Sequence, residues 1–209
     1  MPPEQTLKFS LLEDSFPSFA DLKLAFEAAG YNLSKKDTRQ QHDRYYDDVN
    51  RTLKRQGLIL RRRTVNAQTL ATLKRHDADD DTAERAELEM SLTDGQWPSS
   101  ISRRVSLVTD PANLRSVLDI NTHRAQYRVE KDRLECALLS FDEVSAGYPL
   151  SEQSVHFNNA ELEAVSADDE TLKDIADLLD SIVRLSPNSV DGLERAEALL
   201  SLGAGFQND

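Results

Sequence analysis

Three arginines close an apolar run in Leu-Ile-Leu-Arg-Arg-Arg, residues 58–63. On a strand, Arg61 and Arg63 point to one face and Arg62 to the other, so two guanidinium forks stand side by side. Other cations occupy comparable settings. Lys8, Lys74, Arg85 and Arg124 each fall in a strand-like stretch whose charged face also receives carboxylates. Glu4, Thr6, Lys8 and Ser10 share a face, as do Arg85, Glu87, Glu89 and Ser91. A planar fork suits phosphate oxygens and lysine adds a point charge. Carboxylates repel phosphate unless a divalent metal lies between, and hard oxygen ligands favour Mg²⁺ or Mn²⁺ over zinc. Cations that hold a row of phosphates, with metal polarising the terminal group, make the chemistry of phosphoryl transfer by positioning and charge.

Those residues require strands that alternate in polarity. Leu7, Phe9 and Leu11 form the apolar side of the first. A helix follows, with Ser18 as N-cap, Leu22, Ala25 and Phe26 as its stripe and Gly30 as its stop. Arg-Tyr-Tyr-Asp-Asp (44–48) reads as a short strand, and residues 49–57 as a helical turn. Residues 58–65 and 68–76 form a hairpin about Asn66, and the acidic segment 77–83 reads as a solvated hairpin tip. A further strand covers 84–92. Residues 103–110 read as a strand, and Pro111 starts a short helix through Leu118. Residues 122–130 and 133–144 form a second hairpin, followed by a strand over 154–165. The segment 166–185 is an amphipathic helix with a capping box of Ser166 and Asp169, and 190–202 is the last helix. About eight strands in groups predict an α+β fold with a largely antiparallel sheet. An open sheet with one wet face accounts for any single strand; a closed barrel would instead gather all the mixed-sign faces inside a tunnel.

The chain has 209 residues and a net charge of -12, which opposes non-specific binding to nucleic acid. No apolar run is long enough to span a membrane and no secretory leader is evident. Cys136, the sole cysteine, reads as a small core residue. The expectation is a cytoplasmic protein with one domain over 1–203 and a tail over 204–209, of open oligomeric state. Its partner is a small triphosphate or polyphosphate rather than nucleic acid or membrane.

The order of these motifs resembles the CYTH superfamily, the triphosphate tunnel metalloenzymes. Glu-Gln-Thr-Leu-Lys (4–8) is similar to its first-strand E-x-E-x-K, and Arg-Tyr-Tyr-Asp-Asp with Leu-Ile-Leu-Arg-Arg-Arg to its Tyr-Tyr-Asp segment and basic strand. Ala-Thr-Leu-Lys-Arg (71–75) and Arg-Ala-Glu-Leu-Glu (85–89) match its Leu-Lys strand and R-x-E-x-E. Residues 122–128, 138–144 and 160–165 resemble its arginine, acidic and Glu-Leu-Glu strands, and 194–200 its closing helix. The resemblance implies an eight-stranded antiparallel barrel, a tunnel with helices outside and at its ends, that hydrolyses inorganic triphosphate or a small organic triphosphate. By that resemblance Lys8, Arg61, Arg63, Lys74, Arg85, Arg124, Arg128 and Arg195 bind substrate. Glu4, Glu87, Glu89, Asp142, Glu161 and Glu163 bind or orient Mg²⁺ or Mn²⁺, and Glu4 and Lys8 stand closest to catalysis.

Two departures are visible. The second glutamate of E-x-E-x-K is Thr6, and the closing helix lacks the family's Ser-Lys pair, keeping Arg195 followed by Ala196. These departures motivate a second expectation, a polyphosphate- or nucleotide-binding module without turnover. A class IV adenylate cyclase is the third.

Overall fold

The computed structural model describes residues 5–12, 15–75, 88–92, 95–188 and 190–205. Glu4, Arg85 and Glu87 lie outside the described residues, as does the acidic segment 77–83. The strands are β1 (Thr6–Leu11), β2 (Asn32–Asp47), β3 (Leu58–Val65), β4 (Gln68–Arg75), β5 (Leu88–Ser91), β6 (Arg115–Lys131), β7 (Leu134–Gly147), β8 (Ser154–Ala164) and β9 (Leu185–Pro187). The helices are α1 (Phe19–Ala28), α2 (Thr52–Arg55), α3 (Ser99–Val105), α4 (Asp169–Ile182) and α5 (Gly192–Gly205).

The fold is α+β, with one antiparallel sheet in the order β5-β4-β3-β2-β6-β7-β8-β1-β9. Among the described residues it has nine strands rather than eight because Leu185–Pro187 pairs with Phe9–Leu11. Among the described residues its hydrogen-bond ladder is not closed. The chain divides into two compact units, one of residues 1–39, 122–145 and 155–209, the other of 40–121 and 146–154. Strands β2, β6 and β7 contribute residues to both.

In the first unit, strand alternation sends Leu7, Phe9, Val129, Leu139, Phe141, Ala160 and Leu162 into a core closed by Leu22 and Phe26 of α1 and Leu172, Ile175 and Leu179 of α4. Ser18 caps α1 and Gly30 ends it at φ 85°. The cap of α4 is Asp168, whose carboxylate accepts from Thr171 N, whereas Ser166 donates to the Glu135 carbonyl. Cys136 is buried, and burial pushes its thiol pKa up.

In the second unit, Leu60, Ala71 and Leu73 pack against Leu53 of α2 and Ile101 and Val105 of α3. The β3–β4 hairpin turns through Asn66 and Ala67, both at positive φ, as a two-residue connection with right-handed strand twist requires. Residues 103–105, expected on a strand, belong to α3: Ile101 and Val105 lie four apart and are both fully buried on one helical face. After Pro111 only Pro111–Asn113 is helical, a 3-10 turn capped by Asp110, and Leu118 is buried within β6.

Candidate functional site

Each unit has a polar side opposite its core, and register decides what meets there. In the first unit β1 pairs with β8 so that Thr6 faces Glu163, Lys8 faces Glu161 and Ser10 faces Asn159. These pairs stand on one side of the sheet because Leu7 and Leu162, between them, point to the core. On β6 and β7 the same parity directs Arg124 and Gln126, Ser140 and Asp142 to that side, the last three of them buried. Gln126 donates to Ser140 Oγ at 3.1 Å.

Arg124 joins three strands. Its Nε and NH2 donate to the Asp142 carboxylate at 2.7 and 2.5 Å, and NH2 also reaches Glu161 at 2.7 Å. Burial works against this guanidinium's charge, but the bonds and charge of Asp142, then Glu161, prevail and raise its pKa. Asp142, 6% exposed, is pushed up by burial against the pull of Arg124. It sits within β7.

Arg195 of α5 behaves differently. It donates to Ser10 Oγ at 2.6 Å, to Asn159 Oδ1 and to the Asn158 carbonyl, and its guanidinium lies 4.6 Å over the Phe157 ring. Each of these partners is neutral, and burial lowers its pKa. Neither Arg195 nor Lys8 has a carboxylate ion pair among the described residues. Arg128, in contrast, pairs with Glu135 at 3.5 Å near the hairpin end, with half its side chain exposed.

In the second unit Asp43 and Arg63 are direct partners across β2 and β3. Arg63 Nε and NH2 both donate to Asp43 at 2.7 Å, Gln41 donates to it at 2.8 Å, and Arg61 NH1 lies 4.0 Å away. Burial opposes the Arg63 charge and Asp43 outweighs it, so the guanidinium is raised. Thr72, opposite Arg61 on β4, donates to Glu89 at 3.0 Å, and Lys74 shares this face two residues on. Arg62 occupies the other side, stacked 4.3 Å over Trp97 and 5.0 Å over Tyr46, with NH2 on the Gly95 carbonyl. The split of Arg61 and Arg63 from Arg62 is thus as alternation predicts.

The register therefore brings Lys8, Arg124, Asp142, Glu161 and Glu163 to one polar face of the first unit, with Arg195 reaching Ser10 and Asn159 there. Arg61, Arg63, Lys74 and Glu89 share a face of the second. Arg128 stands apart at the hairpin end. Asp43 and Asn159 belong to no motif of the sequence. Asp43 stands just before the Arg-Tyr-Tyr-Asp-Asp stretch, inside the longer β2. Continued alternation through Asp43, Tyr45 and Asp47 would have exposed it. Asp47 and Asp48 serve α2: Asp47 accepts from Leu53 N and Lys54 N, Asp48 from Thr52 N and Thr109 Oγ1.

Carboxylate oxygens are the donors a hard divalent cation takes. Asp142 and Glu161 bring theirs to a single guanidinium nitrogen, so both reach one positive centre. Among the described residues no three acidic, histidine or cysteine side chains form a metal-holding group. Mg²⁺ is ordinarily held through one or two carboxylates together with substrate phosphates, which this pair fits.

The sequence model of the CYTH domain matches residues 11–196. A candidate adenylyl cyclase from Hippeastrum with a dominant triphosphatase activity shares the fold at a TM-score of 0.60 and 16% identity, covering 93% of this chain and 95% of its own. A candidate adenylate cyclase from Bacillus halodurans does so at 0.54 and 20%, covering 92% and 96%. No curated protein matches the chain.

Proposed function

This chain belongs to the CYTH domain family, and from that premise we propose that it is a hydrolase of inorganic triphosphate or a small organic triphosphate. The observation that carries this reading is the state of Lys8 and Arg195, two cations at one polar face with no carboxylate partner among the described residues. A guanidinium that gives up water for neutral oxygens keeps an uncompensated charge, and a multivalent anion supplies the missing counter-charge. Binding phosphate at Arg124 instead exchanges one ion pair for another, a process near break-even. Arg124 therefore orients phosphate oxygens with a fork that Asp142 already holds in place, while Lys8 and Arg195 contribute most of the attraction.

Asp142 and Glu161, with Glu163 two residues on, are the carboxylates that would hold Mg²⁺ or Mn²⁺. A bound metal neutralises charge on phosphate oxygens and polarises the group to be transferred. Family resemblance, and the dominant triphosphatase activity of the Hippeastrum protein, favour hydrolysis over cyclisation.

The test is a panel of tripolyphosphate, thiamine triphosphate and ATP with each metal, analysed for every product. Phosphate release, abolished by Lys8→Ala or Arg61→Ala, is expected. Cyclic AMP from ATP would replace this reading with a cyclase. One observation favours a second reading, a triphosphate-binding module without turnover: Thr6, which faces Glu163 across the strands, puts a hydroxyl where the family pattern has a glutamate. Calorimetry would then give tripolyphosphate binding with no product, and Thr6→Glu would introduce the absent acid.

A further inference from the structure

The side of β3, β4 and β5 that turns away from Arg61 and Arg63 holds a cavity of about 550 Å³ beside α3. That volume falls within the range of small-molecule pockets, about 300–1,000 Å³. Leu58, Leu73 and Leu88 form its floor. Leu73 belongs to the core, and Leu58 and Leu88 are partly buried against it, so the cavity is an open edge of the second unit's apolar interior. Arg75, Arg103 and Arg104 line it as well. All three are exposed, and no carboxylate residue is among the described residues that line it.

Arg103 and Arg104 suit the carboxyl end of α3 by the helix dipole alone. Arg75 has no such reason: it comes from β4 and converges on the same cavity. Arg103 and Arg104 have no ion pair among the described residues. These two guanidinium groups, in a chain of net charge -12, set positive charge beside a leucine floor. Guanidinium is weakly hydrated, tolerates apolar neighbours along its stem, and pairs with carboxylate or phosphate in fork geometry.

We propose that this cavity binds an anionic amphiphile, with an alkyl or acyl chain on Leu58, Leu73 and Leu88 and a carboxylate or phosphate head on Arg75, Arg103 and Arg104. Alternation separates it from the candidate phosphate face: Leu58, Leu73, Arg75 and Leu88 point one way, Arg61, Arg63, Thr72 and Glu89 the other. The site is thus independent of the reading given above for triphosphate.

The experiment is calorimetric titration of the full chain with octanoate, octyl phosphate and neutral octyl glucoside, each below its micellar concentration. Saturable one-to-one binding of octanoate or octyl phosphate is expected, the tighter of the two identifying the head group, with at least a tenfold loss in R103E/R104E. Leu107, 75% exposed and also lining the cavity, provides a second variant that leaves the core intact: L107E is expected to weaken binding similarly. Absence of saturable heat with both anions would overturn the proposal. So would octyl glucoside binding as tightly as they do, or affinity unchanged in both variants. Tripolyphosphate hydrolysis assayed in the same variants keeps the two readings apart, because neither variant alters the polar face.

Discussion

The buried counter-ions determine how the arginines behave. Asp43 is 3% exposed and is the carboxylate that satisfies Arg63 and lies 4.0 Å from Arg61. Removing it strands a largely buried guanidinium, and breaking such a pair costs about 3–5 kcal/mol. Arg63 keeps some access to water, so Asp43→Ala is expected to lose about 3 kcal/mol by urea denaturation, the lower end of that range. Asp43→Asn, which retains an acceptor, is expected to lose less; equal losses would show that charge pairing is not the cause. Arg195 has no such carboxylate, and Arg195→Ala is expected to weaken tripolyphosphate binding in calorimetry more than Arg128→Ala does. Arg128 already spends its charge on Glu135 at the hairpin end.

Short elements are anchored by single carboxylates. Asp48 accepts from Thr109 Oγ1 and from the backbone of Asn50 and Thr52, tying the start of α2 to the segment before β6. The Thr109 hydroxyl, then Thr52, hold its pKa well below the usual carboxylate range. A carboxyl depressed in the folded state stabilises it fully above its unfolded pKa of about 4, and that contribution disappears as pH falls through the lower folded value. Calorimetric melting from neutral pH into acid is therefore expected to fall more gently in Asp48→Asn than in the wild type. For the apolar layer, Leu162 is fully buried between α4 and the sheet's polar side, and Leu162→Ala is expected to cost about 2–5 kcal/mol by the same denaturation measurement.

The elements that could be read in advance share a cause. The β3–β4 hairpin, α1 and α4 each bury a continuous face, so apolar period alone marks them. The first half of β2, Ser34 to Asp43, contains no apolar residue, and its strand conformation comes from partners far along the chain. Val105 and Leu107 alternate with serine and mimic a strand, yet pairing of Ile101 with Val105 on one helical face places residues 103–105 in α3. Site residues followed the same rule. Lys8, Arg61, Arg63, Arg124, Asp142 and Glu161 lie where period 2 puts them, whereas the neutral partners of Arg195 depend on where α5 lies against β1 and β8.

At the scale of the whole molecule, the units are not consecutive segments, since β2, β6 and β7 run through both. Each of these three strands contributes residues to both units, so calorimetry is expected to give a single unfolding transition, and two resolved transitions would contradict that expectation. The net charge of -12 leaves anion recognition to local clusters rather than to a long-range field. Such attraction is short-ranged once salt screens it.

The stacking of Arg62 on Trp97 has a practical corollary. The chain contains a single tryptophan, and its indole touches both the Arg62 guanidinium and the edge-on Tyr46 ring, whose centroid lies 4.9 Å away. Light absorbed above the tyrosine band is therefore emitted from one place, beside the α3 layer. Any loosening of that layer changes the wavelength and yield of this emission without a second fluorophore to mask it. The protein carries its own optical gauge of that layer, and no label has to be introduced to read it.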